Sequence, residues 1–144
     1  LEKDKGTIIF ISSLAGRVAM PFFGSYCMTK FSLSSGADSL RQEISRITDN
    51  VHITVVEPGS YYTGFNQDMM AKKFKWMDKR SYFYKLIPKI KHEEIRFFRL
   101  TECKTTKSIV KKIVKASEAK KPRLRYQAPL WQALFIQIQR ILGR

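Results

Sequence analysis

Cysteine and histidine are scarce in this 144-residue chain, with two of each. Cys27 and Cys103 lie far apart without metal-ligand spacing, and His52 and His92 belong to no ligand motif, so no metal site is expected. Two cysteines build no disulfide framework, which fits a reducing cytoplasm. Seven glycines are present, but no three have the spacing of a turn that cradles phosphates at a helix N-terminus. The longest apolar runs fall short of a membrane span, and no secretory leader precedes the first strand-like run, so a cytoplasmic location is expected. Acidic residues are few and unevenly placed. Residues 72–144 hold five Asp/Glu against 21 Lys/Arg, whereas residues 1–71 hold seven against six, so the net charge of +15 belongs to the second half. A basic half is compatible with a solvated surface, an anionic membrane surface or nucleic acid. No nucleic-acid motif accompanies it, and nucleic acid is not an expected partner.

What is present reads as globular, with 44% hydrophobic and 12% aromatic residues. The sequence starts at Leu1 rather than Met, and a strand-like run begins at Thr7, so a piece of a larger domain is expected. Gly6-Thr7-Ile8-Ile9-Phe10-Ile11 is short, nearly continuous in apolar residues and rich in β-branching, as in a parallel strand buried on both faces. Left as an edge, this strand would need cover from a second chain or a rearranged element. From about Gly24 the spacing turns helical, with Leu33, Ala37, Leu40, Ile44 and Ile47 on one face and Asp49-Asn50 as the stop. His52-Ile53-Thr54-Val55-Val56 is a second buried strand closed by Pro58-Gly59, and the three elements make a βαβ crossover of a parallel α/β fold.

Residues 60–102 mix aromatics with Lys and Arg without clean periodicity, and one or two short helices in a mobile excursion are expected there. Residues 105–120 read as a helix with Ile109, Val110, Ile113 and Val114 inward. Residues 124–127 read as a short strand. After Pro129, the residues Leu130, Trp131, Leu134, Phe135, Ile138, Ile141 and Leu142 form an amphipathic helix whose apolar face is expected to pack on the domain.

Chemistry concentrates at Tyr26-Cys27-Met28-Thr29-Lys30, where a phenol and an ammonium lie one helical turn apart. A nearby cation stabilises a phenolate and lowers a tyrosine pKa from its usual value near ~10. The spacing alone carries little weight, since this composition yields roughly 0.7 such matches by chance. Its surroundings decide. The block Gly6 to Ile11 followed by Ser12-Ser13-Leu14-Ala15-Gly16, then Pro21, then Tyr26 to Lys30, resembles the short-chain dehydrogenase/reductase family. Ser13 stands 13 residues before Tyr26, the family's separation for its active serine; Ser12 reads better as satisfying backbone groups at the strand end. Val55-Val56-Glu57-Pro58-Gly59 with Thr63 four residues on resembles the family's Pro-Gly turn and cofactor-contacting threonine.

The resemblance covers residues 5–66 and implies an α/β fold, the C-terminal half of a Rossmann-like doubly wound parallel sheet with flanking helices. It implies three parts: a catalytic strand-helix-strand core at 1–59, a substrate lid at 60–102, and a closing helix, short strand and basic amphipathic tail at 103–144. The activity implied is an NAD- or NADP-dependent interconversion of a carbonyl and an alcohol on a small molecule, in a homo-oligomer when full-length; the aromatics of residues 60–102 suggest that the substrate is apolar. Tyr26 would be the general acid and base, Lys30 would hold the nicotinamide ribose and lower the tyrosine pKa, and Ser13 would donate to the substrate oxygen. Pro58 and Gly59 would let backbone pass close to the nicotinamide, and Thr63 would contact the cofactor. The family's glycine-rich phosphate loop would precede Leu1. A second reading, from a different class, is a basic amphipathic module with weak contact to an anionic membrane, built on an inactive dehydrogenase fragment.

Overall fold

The computed structural model describes residues 5–143; Leu1, from which the sequence starts, and Arg144 of the basic tail lie outside the described residues. Along the chain the regular elements are β1 (Gly6–Ile11), α1 (Gly24–Ile44), β2 (Val51–Pro58) and α2 (Phe65–Trp76). They are followed by α3 (Ile87–Thr101), α4 (Lys107–Glu118), β3 (Arg125–Ala128) and α5 (Leu130–Ile141). The chain divides into two units. One holds β1, α1, β2, α4, β3 and α5; the other is Ser60–Thr106 with α2 and α3.

In the first unit the three strands form one parallel sheet in the order β1-β2-β3. Gly6 lies opposite Val51 and Ile11 opposite Val56, while Val55 lies opposite Arg125. The middle strand carries the core: Val51, Ile53 and Val55 pack with Ala37 of α1, flanked by Phe10, Leu40, Ile44 and Leu124. Each such side chain taken from water contributes about 1.5–3 kcal/mol. Arg41 ties α1 to this layer by donating to Ile53 O at 2.5 Å and to Pro122 O at 3.1 Å.

Several expectations need correction. Helix α1 ends at Ile44 rather than near Asp49, because Arg46 and Ile47 donate to carbonyls three residues back and tighten the last turn. Ile47 therefore falls outside the helix and is exposed. Strand β1 is not buried on both faces: it is an edge of the sheet, Ile8 and Ile11 are exposed, and no described residue pairs with its outer side. No rearranged element among the described residues covers that edge. On α4 the inward stripe runs through Ile109, Ile113 and Ala116, which leaves Val110 and Val114 exposed, about 100° to the side. The expected inward packing of the last helix is reversed. Gln132 and Ala133 of α5 are the buried residues, and its apolar face points outward.

The second unit holds helices of 12 and 15 residues where short ones were expected. Their buried positions include Asn66 and Met70 on α2 and Ile90, Glu94 and Phe98 on α3. Lys73 of α2 pairs with the buried Glu94 of α3. The two ends of the unit are clipped together: Tyr61 and Cys103 form a parallel bridge, and Cys103 N donates to Ser60 O at 3.0 Å. Among the described residues no helix is long and apolar enough to cross a membrane.

Candidate active site

The site is built where β1 ends. Ser12 N donates to Val56 O at 2.9 Å, carrying the ladder one step past the strand. Its hydroxyl donates to Lys30 O at 3.0 Å and shares a 2.8 Å hydrogen bond with the hydroxyl of Ser34. Ser12 is thus a fastener between strand and helix. Ser13 turns the other way. Its Oγ accepts from Ala15 N at 3.1 Å, capping a single 3-10 turn at Leu14–Gly16, and donates to Pro58 O at 3.3 Å. That turn presses on α1: a Cβ on Gly16 would stand 2.7 Å from Lys30 O and 3.0 Å from Ser12 Oγ. The missing side chain is what lets the Lys30 turn of the helix approach.

Tyr26 lies in the first turn of α1, and Lys30 follows one turn later. The Lys30 ammonium is 5.8 Å from the centre of the Tyr26 ring and donates to Ile11 O, the last residue of β1, at 3.3 Å. Ser13, Tyr26, Lys30 and the Pro58 carbonyl therefore gather at the carboxyl ends of β1 and β2, the edge where open α/β sheets bind ligands. A phenol beside an anchored ammonium can exchange a proton, and a hydroxyl on the same strand end can stabilise a developing oxyanion.

Gly59 has a structural claimant. Its N donates to Ala128 O at 2.7 Å, and a Cβ there would stand 2.0 Å from Gln132 Oε1 and 2.9 Å from Pro129 Cδ. The bare backbone makes room for α5. Thr63 belongs to the second unit, where it is exposed and precedes Gly64, whose φ of 85° opens α2.

A buried charge network beside Pro58 escaped the sequence reading. Glu57 is fully buried and accepts from Arg125 Nη1 and Gln127 Nε2, each at 2.6 Å. Arg125 also pairs with Asp38, and Arg17 lies 3.7 Å from Glu57. Burial pushes the Arg17 pKa down, with Arg125 and Arg140 acting the same way, against the opposing pull of Glu57 and Asp38. The signal was available: Glu57 is a charge directly after the apolar pair Val55-Val56, near the end of a strand. Among the described residues no three His, Cys, Asp or Glu side chains converge as a metal set.

Residues 1–74 match the family model described as short chain dehydrogenase. The chain belongs to the short-chain dehydrogenase family. Its fold agrees: a short-chain dehydrogenase/reductase from Burkholderia phymatum, solved in complex with NAD, superposes with a TM-score of 0.71 at 15% identity over 98% of this chain and 50% of that one. Human 17-beta-hydroxysteroid dehydrogenase type 6 is 31% identical across 96% of this chain and 44% of the relative. Mouse mitochondrial D-beta-hydroxybutyrate dehydrogenase is 31% identical across 88% of this chain and 39% of the relative. This short-chain dehydrogenase chain thus spans less than half the length of those two relatives.

Proposed function

We propose that the protein carrying this chain is an NAD- or NADP-dependent oxidoreductase that interconverts an alcohol and a carbonyl, with Tyr26 as its general acid and base. The observation that carries the proposal is the Lys30 ammonium, held by Ile11 O at 3.3 Å and set 5.8 Å from the Tyr26 ring. Ser13 lies on the same strand end. Support comes from the solved relative in complex with NAD and from two relatives named as dehydrogenases of hydroxylated compounds.

The donor set at the strand ends fits the nicotinamide-ribose end of a dinucleotide: an ammonium, a phenol and a hydroxyl on one edge. A bound nicotinamide supplies or accepts the hydride. Lys30 would hold the ribose hydroxyls. In carbonyl reduction the Tyr26 hydroxyl gives its proton to the substrate oxygen, and in alcohol oxidation the phenolate takes it back. Ser13 keeps its bond from Ala15 N, which fixes Oγ, and turns its own proton from Pro58 O to the substrate oxygen. Exposed aromatics of the second unit, among them Tyr62, Trp76 and Tyr82, support an apolar substrate.

The test is Tyr26→Phe in the full-length protein. Turnover falls by about 100-fold or more, because the ring still packs but the proton donor is gone, while cofactor affinity stays within about twofold. Lys30→Ala weakens cofactor binding, because it removes the ammonium that would hold the ribose hydroxyls. Retention of more than about a tenth of the rate in Tyr26→Phe assigns the proton transfer to another group.

A further inference from the structure

Helix α5 is turned opposite to an ordinary surface helix. It rests on the first unit through Gln132 and Ala133, with Gln132 lying in the space that Gly59 leaves open. Seven large apolar side chains face away: Leu130, Trp131, Leu134, Phe135, Ile138, Ile141 and Leu142, each between 47% and 75% exposed. At 100° per residue they fill one arc of about 140°. The arc holds no charged residue. A continuous surface of seven exposed large apolar side chains is unusual on an isolated soluble protein and marks a docking face.

We propose that this face of α5 lies in the interfacial layer of an anionic lipid bilayer. Charge selects this occupant over a second copy of the chain. The sequence carries +15, and from residue 119 onward it has six Lys/Arg and no Asp/Glu. Two copies of so basic a chain repel each other, whereas an anionic surface attracts it, and the helix and its sequence flanks carry no acidic residue. Composition agrees with an interfacial helix, with Trp131 and Phe135 among aliphatic side chains on one face and glutamines and Arg140 elsewhere. At 12 residues α5 is too short to span the bilayer, so it lies along the surface.

The test uses the full-length protein with vesicles of phosphatidylcholine alone and of phosphatidylcholine with phosphatidylserine. Flotation recovers protein with the anionic vesicles, and a fraction stays bound at 1 M salt, because apolar insertion is not screened. The double substitution Leu134→Asp and Phe135→Asp lowers the bound fraction at least tenfold while leaving the melting curve in place, since both side chains are exposed. In a Trp76→Phe background Trp131 is the single tryptophan of this chain, and its emission shifts to the blue on anionic vesicles. Binding that salt abolishes and the double substitution leaves intact reduces the effect to scattered lysines and overturns the proposal. Absence of binding together with a concentration-dependent dimer that the same substitutions dissolve assigns the face to a second copy. Absence of binding with a monomer whose Trp131 resists acrylamide quenching means that the protein covers the face itself.

Discussion

Two glycine-to-alanine substitutions separate packing from propensity on the helix that bears Tyr26 and Lys30. Gly36 lies within α1, is exposed, and would set its Cβ with nothing inside 4 Å. Gly36→Ala should therefore stabilise by about 0.5–1 kcal/mol, through helix propensity and a less flexible unfolded chain. Gly16→Ala places its methyl 2.7 Å from Lys30 O and 3.0 Å from Lys30 C. Both are backbone atoms, so no side chain can swing aside. Ser12 Oγ, also 3.0 Å away, is itself bonded to Lys30 O and cannot give without losing that bond. The expected cost is about 2–3 kcal/mol, the upper part of the overpacking range. With an m-value of about 2 kcal/mol/M, the urea midpoint should fall by about 1 M or more, while Gly36→Ala raises it by about 0.3–0.5 M. The displaced backbone is that of Lys30, so on the proposed mechanism Gly16→Ala in the full-length protein should lower kcat by about tenfold or more. A Gly16→Ala protein that unfolds within about 0.5 kcal/mol of the parent, at unchanged kcat, refutes the close-approach reasoning.

The buried network gives a second prediction: Arg125→Met should destabilise by about 3–5 kcal/mol, because Glu57 and Asp38 both lose a partner and Glu57 has no access to water. Arg125→Lys should recover only part of this in urea unfolding, since one ammonium cannot reach both carboxylates in the fork geometry. At the surface, Arg80 donates through side chain and backbone to Asp78 and holds its carboxyl below the ordinary 3.8. The folded state therefore binds that proton less readily than the unfolded one. The favourable contribution is present above the ordinary value and is lost as pH falls through the depressed one. An NMR titration of Asp78 should show this, and Arg80→Ala, which keeps only the backbone donor, should bring the midpoint back toward 3.8.

How far the sequence could be read follows from where charge enters the apolar pattern. The β1-α1-β2 unit was legible because Ile8 to Ile11 and Ile53 to Val56 are continuous runs, with helical spacing between them. Helices α2 and α3 were obscured because their buried stripes include Asn66 and Glu94, polar side chains whose charged partners, Glu102 and Lys73, are distant in sequence. The same holds for Glu57, whose partner Arg125 arrives from the far end of the chain. Periodicity grouped the apolar residues of α5 correctly but could not say which way they turn. That depends on Gln132 meeting the bare backbone of Gly59. At the candidate site, spacing and neighbours single out Tyr26 and Lys30, and the structure sets the Lys30 ammonium 5.8 Å from the Tyr26 ring. The division of labour between Ser12, bonded to the helix, and Ser13, bonded to Pro58 O, became visible only in three dimensions.

The clip at the neck of the second unit bears on how such a protein can diversify. Ser60, Tyr61 and Tyr62 meet Cys103 backbone to backbone, so the Ser60–Thr106 stretch leaves and rejoins the chain at nearly one point. The pairing of β2 with β3 does not depend on what hangs from that point. Val55 N donates to Leu124 O at 2.7 Å and Thr54 Oγ1 to Arg123 O at 2.7 Å, contacts belonging wholly to the sheet unit. Lengthening or replacing the insert costs only the slow logarithmic growth of loop entropy. The insert can therefore be exchanged like a cartridge, while the strand ends that seat Ser13, Tyr26 and Lys30 keep their register.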